Sequence, residues 1–149
     1  MELYRRENYL KKIRGFYHDS EMIKVITGVR RCGKSSLMQT IIEELKEQGV
    51  PEANLVFLDL DSKKHKSIKK PEQLEQEIDK LCSAEGMKYL FIDEIQNIIG
   101  FEEIINAYRG EKEYSVFITG SNSYLLSGEL ITKLTGRYIE IEMLPLSCE

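Results

Sequence analysis

Short unbroken apolar runs alternate along this chain with stretches in which apolar residues recur every three or four positions. The runs at 22–27, 54–61, 88–94 and 114–119 have strand length and are rich in Ile, Val, Leu, Phe and Tyr; 137–142 adds a strand by period-two alternation. Helical spacing fills the intervals. Leu37, Ile41 and Leu45 form one stripe, with Met38 and Ile42 beside it. Leu74, Ile78 and Leu81 form a second, Phe101, Ile104, Ile105 and Tyr108 a third, and Leu125, Leu126, Leu130, Ile131 and Leu134 a fourth. Gly49 and Pro51 stop the first of these helices and Pro71 opens the second. Gly110 is expected to end the third, and Gly128 to bend the fourth. Strands alternating with helices imply an α/β fold, a mostly parallel sheet with helices on both faces. Residues 1–20 are expected to form a helical segment packing on that core, and 21–149 the domain proper.

The turn between the first strand and the first helix carries chemistry. Gly28-Val29-Arg30-Arg31-Cys32-Gly33-Lys34-Ser35 fits the pattern Gly-x-x-x-x-Gly-Lys-Ser/Thr, in the strand–loop–helix setting that the pattern requires. Backbone N–H groups of such a loop, from Gly28 through Ser36, face a common centre and neutralise phosphate charge without mobile side chains. Gly28 and Gly33 allow the close approach. Lys34 supplies a full charge for the β- and γ-phosphates, the Ser35 hydroxyl is a Mg²⁺ ligand, and the helix start adds free N–H groups. Arg30 and Arg31 either touch phosphate or pair with acids of a neighbouring helix or subunit; a structural role is the reading taken. Cys32 lies near a helix N-terminus and a lysine, both of which lower a thiol pKa, yet no resolving cysteine is near.

The run Lys88-Tyr89-Leu90-Phe91-Ile92-Asp93-Glu94 reads as a strand buried on both faces that ends in two acids. Open parallel sheets bind ligands at that edge. Asp93 is the expected partner of Ser35 in holding Mg²⁺, and Glu94 the base that polarises an attacking water. The adjacent glutamate, and the lack of an Asn-Lys-x-Asp segment, argue against GTPases and small-molecule kinases. Leu126-Ser127-Gly128-Glu129 falls after the acidic strand rather than before it, so it is read as a helix and not as an ABC-transporter signature. Asp59 and Asp61 are either nucleotide-edge groups or surface acids, and Gln96 either steadies Glu94 or starts a helix.

Four segments now stand in order: residues 26–35, Phe91-Ile92-Asp93-Glu94-Ile95-Gln96, Ile118-Thr119-Gly120-Ser121-Asn122-Ser123, and Leu134-Thr135-Gly136-Arg137-Tyr138 followed by Pro145-Leu146-Ser147. Together they resemble the prokaryotic AAA+ superfamily P-loop ATPases that carry a C-terminal domain of unknown function. The resemblance covers most of the chain. It implies a P-loop fold of the additional-strand, catalytic-glutamate type, with five strands in the order 5-1-4-3-2. It also implies a polar sensor ending the fourth strand, assigned to Ser121 with Asn122 and Thr119 as alternatives. Turn formation or helix capping is the competing role for these residues. Arg137 stands where such domains place an arginine finger, which implies a homo-oligomer; a surface arginine paired with Glu140 or Glu142 is the other reading. The expected activity is Mg²⁺-dependent ATP hydrolysis in the full-length assembly. The alternative is a nucleotide-dependent switch or scaffold with negligible turnover.

Composition narrows the setting. The three cysteines are odd in number and unpatterned, His18 and His65 lie far apart, and no run reaches membrane-spanning length. A cytoplasmic domain without structural zinc, disulfides or a signal-peptide core is expected. A net charge of −4 gives no support to nucleic-acid binding. Lys63, Lys64, Lys66, Lys69 and Lys70 form a local exception, read as a solvated loop. Residues 145–149 come just after the fifth strand, where AAA+ proteins continue into a lid. A fragment is therefore expected, monomeric and weak in turnover by itself.

Overall fold

The computed structural model describes residues 2–29, 33–121 and 128–144. Five strands form one sheet: β1 (Ile23–Thr27), β2 (Leu55–Asp59), β3 (Lys88–Asp93), β4 (Tyr114–Gly120) and β5 (Tyr138–Glu142). Their order is β2-β3-β4-β1-β5 and every pairing is parallel. That is the expected 5-1-4-3-2 order, read from the other edge. The helices are α1 (Glu2–Ile13), α2 (Lys34–Glu47), α3 (Pro71–Leu81), α4 (Phe101–Glu111) and α5 (Gly128–Leu134).

The pleat divides the apolar strand residues between two layers, because successive side chains point to opposite faces. Val25, Leu90, Ile92, Val116 and Ile118 pack with Leu74 and Ile78 of α3, Phe101 and Ile105 of α4, and Leu130 and Leu134 of α5. Ile26, Phe91, Phe117 and Ile141 face the other way, against Leu37, Met38, Ile41 and Leu45 of α2 and Tyr9, Leu10 and Ile13 of α1. Phe91 and Phe117, paired in register, stack with centroids 4.4 Å apart. β3 and β4 are buried along their whole length. Such two-sided burial explains why their sequences run apolar without alternation.

An ionic network fastens α1 to α2. Arg14 donates to Glu7 and, at 3.1 and 2.6 Å, to Glu44, which also accepts the Tyr17 hydroxyl at 2.7 Å. These bonds hold the Glu44 carboxyl below its ordinary value, chiefly through Arg14.

Two details differ from the pattern reading. Gly110 lies inside the last turn of α4, and Lys112 instead takes the left-handed conformation at its end, with φ 61°. The helix stops where Tyr114 must enter β4, so the strand and not the glycine sets the boundary. Lys24, within an apolar run, has no exposed surface and donates through Nζ to the Asp19 carbonyl and, at 2.9 Å, to Ser115 Oγ. Ser115 in turn donates to the Tyr17 carbonyl at 2.6 Å, which ties the segment before β1 to β4.

Desolvation pushes the Lys24 ammonium down to about 7 from its usual 10.5. The unfolded chain therefore binds one more proton between these values, and stability rises with pH across that window. Unfolding midpoints measured at pH 7 and pH 9 should show wild type gaining up to about 2 kcal/mol relative to Lys24→Met. Parallel pH dependence in the two proteins would show that Lys24 titrates normally.

Candidate functional site

Because the strands are parallel, Thr27, Asp59, Asp93 and Gly120 all come to one edge of the sheet. The P-loop joins β1 to α2 at this edge. Gly33 precedes α2 in a left-handed conformation, φ 98° and ψ 16°, which only glycine adopts without strain. A Cβ there would meet nothing closer than Met143 Cε at 3.6 Å, so the backbone angle and not space demands glycine.

Lys34 follows and is 5% exposed. Its ammonium donates to the Gly28 carbonyl at 2.7 Å and the Val29 carbonyl at 3.4 Å, and lies 3.6 Å from Glu94 Oε2. Asp93 is buried at the end of β3. Ser35 Oγ donates to one of its carboxylate oxygens and Thr119 Oγ1 to the other. A carboxylate shielded from water is costly unless hydrogen-bonded, and here both oxygens are satisfied.

The Thr119 hydroxyl also accepts the Glu94 N–H at 3.0 Å. One side chain thus fixes the relation of the two acids. Glu94 itself has φ 61° and ψ 52°, a left-handed backbone that costs a non-glycine residue on the order of 1 kcal/mol. This kink turns the chain after β3 and sets the Glu94 carboxylate between Lys34 and Gln96. Gln96 Nε2 donates to Glu94 Oε1 at 2.6 Å, while Gln96 Oε1 is buried with no partner among the described residues. An amide pinned on one side, with a free acceptor on the other, is suited to orient a donor beside the carboxylate.

The oxygens of Ser35 and Asp93 suit a small hard cation such as Mg²⁺, which accepts few protein ligands and keeps water or phosphate on its other positions. Among the described residues no group of three or more His, Cys, Asp or Glu is placed to hold a metal by itself. Water or phosphate oxygens would complete such a site.

The P-loop lysine after β1, the acid that ends β3 on the far side of β4, and a second acid directly after it thus share one edge of the sheet. The profile of the AAA domain matches residues 20–149. The chain belongs to the AAA domain family. An uncharacterized protein of Haemophilus influenzae is 43% identical over 143 residues, covering 95% of this chain and 36% of its own length. An uncharacterized protein of Methanocaldococcus jannaschii is 34% identical over 126 residues, 84% of this chain and 27% of its own length. The chain therefore spans about a third of the curated relatives that it matches. Among solved structures, C. elegans PCH-2 superposes with a TM-score of 0.63 at 15% identity, over 94% of this chain and 42% of that one. Cdc6p of Pyrobaculum aerophilum gives 0.60 at 12%, over 92% and 44%. At these identities the likeness is one of fold.

The AAA domain gathers Gly28, Val29, Gly33, Lys34, Ser35, Asp93 and Glu94 at one edge. Ser36 follows in the first turn of α2, exposed. Arg30, Arg31, Cys32 and Asn122 lie outside the described residues. Ser121 is half-buried just beyond β4, and it is Thr119 that bonds Asp93. Register decides this, since Ile92 pairs with Ile118 and the next residues, Asp93 and Thr119, are brought side by side. Arg137 is exposed at the start of β5, where its carbonyl accepts the Ile23 N–H at 3.0 Å. That position is the opposite edge of the sheet, so Arg137 does not join the cluster of its own chain. No helix among the described residues is long and apolar enough to cross a membrane.

Proposed function

We propose that this AAA domain binds Mg²⁺-ATP and that the longer protein hydrolyses it. The observation that carries the reading is the convergence of the Lys34 ammonium, the Ser35 and Thr119 hydroxyls and the Asp93 and Glu94 carboxylates at one sheet edge. On binding, Lys34 leaves the Gly28 and Val29 carbonyls and Glu94 for the β- and γ-phosphates. The N–H groups at the start of α2 take the remaining phosphate oxygens. Ser35 and Asp93 would hold Mg²⁺, which supplies charge neutralisation between the phosphates. Release from Lys34 frees one Glu94 oxygen, and the carboxylate then accepts a proton from the attacking water. Arg137, remote from its own site, is the candidate finger for the site of a neighbouring copy.

Phosphate release measured against protein concentration tests the assembly. Residues 1–149 should turn over slowly, and a chain of the relatives' length should gain specific activity as concentration rises. Strong, concentration-independent turnover by residues 1–149 would remove the need for a neighbouring arginine.

The Gln96 contact gives a second expected result. Gln96→Glu places a carboxyl against Glu94, and two carboxylates that close share a proton. The acid limb of the pH–kcat profile should move to higher pH, with ATP affinity retained. An unshifted limb would mean that Gln96 does not touch the working base.

One observation favours a nucleotide-dependent switch. Glu94 is held by both Lys34 and Gln96, and Lys34 is the residue that a phosphate would draw away. In that reading ATP moves Lys34 and reshapes the turn after β3, with negligible hydrolysis.

A further inference from the structure

Lys63, Lys64, Lys66, Lys69 and Lys70 lie between β2 and α3, and all five are exposed. None of the ion pairs among the described residues includes any of them. The segment nevertheless has a fixed shape. His65 is buried with Nε2 3.2 Å from Glu77 Oε2 of α3, and Ile68 is buried in the core. Local bonds close the path between these anchors: His65 N–H to the Ser62 carbonyl at 3.2 Å, and Ile68 N–H to the His65 carbonyl at 3.0 Å. Gln73 Oε1 then accepts the N–H groups of Lys69 and Lys70 at 2.8 and 3.0 Å. Held this way, the lysines form a pre-set array of like charges, which costs the fold repulsion and gives it no internal ion pair.

The array is joined to the nucleotide edge. Leu60 N–H donates to the Asp93 carbonyl at 3.1 Å, and Asn97 Nδ2 donates to Asp61 Oδ1 at 2.8 Å. Asn97 N–H also donates to the Glu94 carbonyl at 3.1 Å. These bonds link the base of the lysine loop to the turn carrying Glu94.

We infer that this loop docks the phosphate backbone of double-stranded nucleic acid without reading its sequence. Lysine ammonium groups act as point charges for phosphate and lack the planar fork that reads base edges. Between residues 60 and 70 there is no arginine, and the large apolar and ring side chains, Leu60, His65 and Ile68, are buried. The loop therefore has no exposed ring on which a single strand would stack, and no apolar wedge for a membrane. A duplex offers about one charge per 1.7 Å, and each phosphate neutralised releases counterions. That release opposes the repulsion from a chain of net charge −4, where an acidic peptide of low charge density gives little.

The test is fluorescence anisotropy of a labelled 20-base-pair duplex of mixed sequence, titrated with the protein across a salt series. Binding should be insensitive to sequence. The slope of log K against log salt should lose roughly 0.9 for each lysine removed in Lys63→Ser/Lys64→Ser/Lys66→Ser. Lys11→Ser/Lys12→Ser, removing two exposed charges from α1, should leave the slope unchanged, and circular dichroism should verify the fold of both variants. Equal binding by wild type and the loop variant would overturn the inference. So would retention by anionic vesicles or poly-glutamate with no binding of the duplex. A second arm rests on the ATPase reading: duplex should raise ATP turnover, and Asn97→Ala should lose that stimulation while keeping duplex affinity. Duplex binding without stimulation would leave the docking intact and overturn the coupling.

Discussion

Lys34→Ala should reduce ATP affinity by about 10²-fold or more. A hydrogen bond involving a charged group contributes roughly 1.5–3 kcal/mol, and Lys34 can make two to neighbouring phosphates. The ammonium is 5% exposed, so its interaction with phosphate is poorly screened by water. Its present acceptors are the neutral Gly28 and Val29 carbonyls, with one carboxylate at 3.6 Å. A triphosphate is a stronger acceptor than that set, so exchange favours the nucleotide. Displacement of a fluorescent ATP analogue reads the effect. Loss of less than tenfold would mean that Lys34 belongs to a structural contact and not to the phosphate site.

Glu94→Gln should cut ATP turnover by about 10²–10⁴-fold, the usual contribution of a positioned general base, with ATP affinity nearly unchanged. The amide has the same shape and can keep a contact with Gln96, but it does not accept a proton from water. The left-handed backbone at this position is retained, because Gln and Glu differ little in that region. Phosphate release and ATP affinity measured on the same preparation separate base from binder. Equal release by the two proteins would favour the switch reading, and joint loss of release and affinity would assign Glu94 to holding the site together.

Much of this site is local in sequence and was legible for that reason. Gly33, Lys34 and Ser35 are consecutive, and the loop-to-helix turn that aims them is set by their own residue types. Asp93 and Glu94 end an apolar run whose two-sided burial follows from its composition. The strand order came from the resemblance; the alternation of strands and helices came from the residues. What could not be read depends on pairing between distant segments. Thr119 and Ser121 are the same kind of polar residue two positions apart, one within β4 and one just beyond it, and only the β3–β4 register puts Thr119 on Asp93. The kink at Glu94 was equally hidden, since glutamate carries no signal for positive φ. Lys24 stands within the first apolar run, and what accepts its buried ammonium, the carbonyl of Asp19 and the hydroxyl of Ser115, is set by the tertiary fold. The lysine cluster reads as solvated, and its anchoring through His65 and Ile68 is a tertiary fact.

In the function proposed above, one P-loop, with Ser35 and Asp93 beside it, receives Mg²⁺-ATP. Titration calorimetry of the protein with ATP, in Mg²⁺ and again with Mg²⁺ chelated, tests this most directly. The expected result is one nucleotide per chain, a marked loss of affinity on chelation, and a loss of that Mg²⁺ dependence in Asp93→Asn. No ATP binding in Mg²⁺, or an affinity that ignores both chelation and Asp93→Asn, would contradict it.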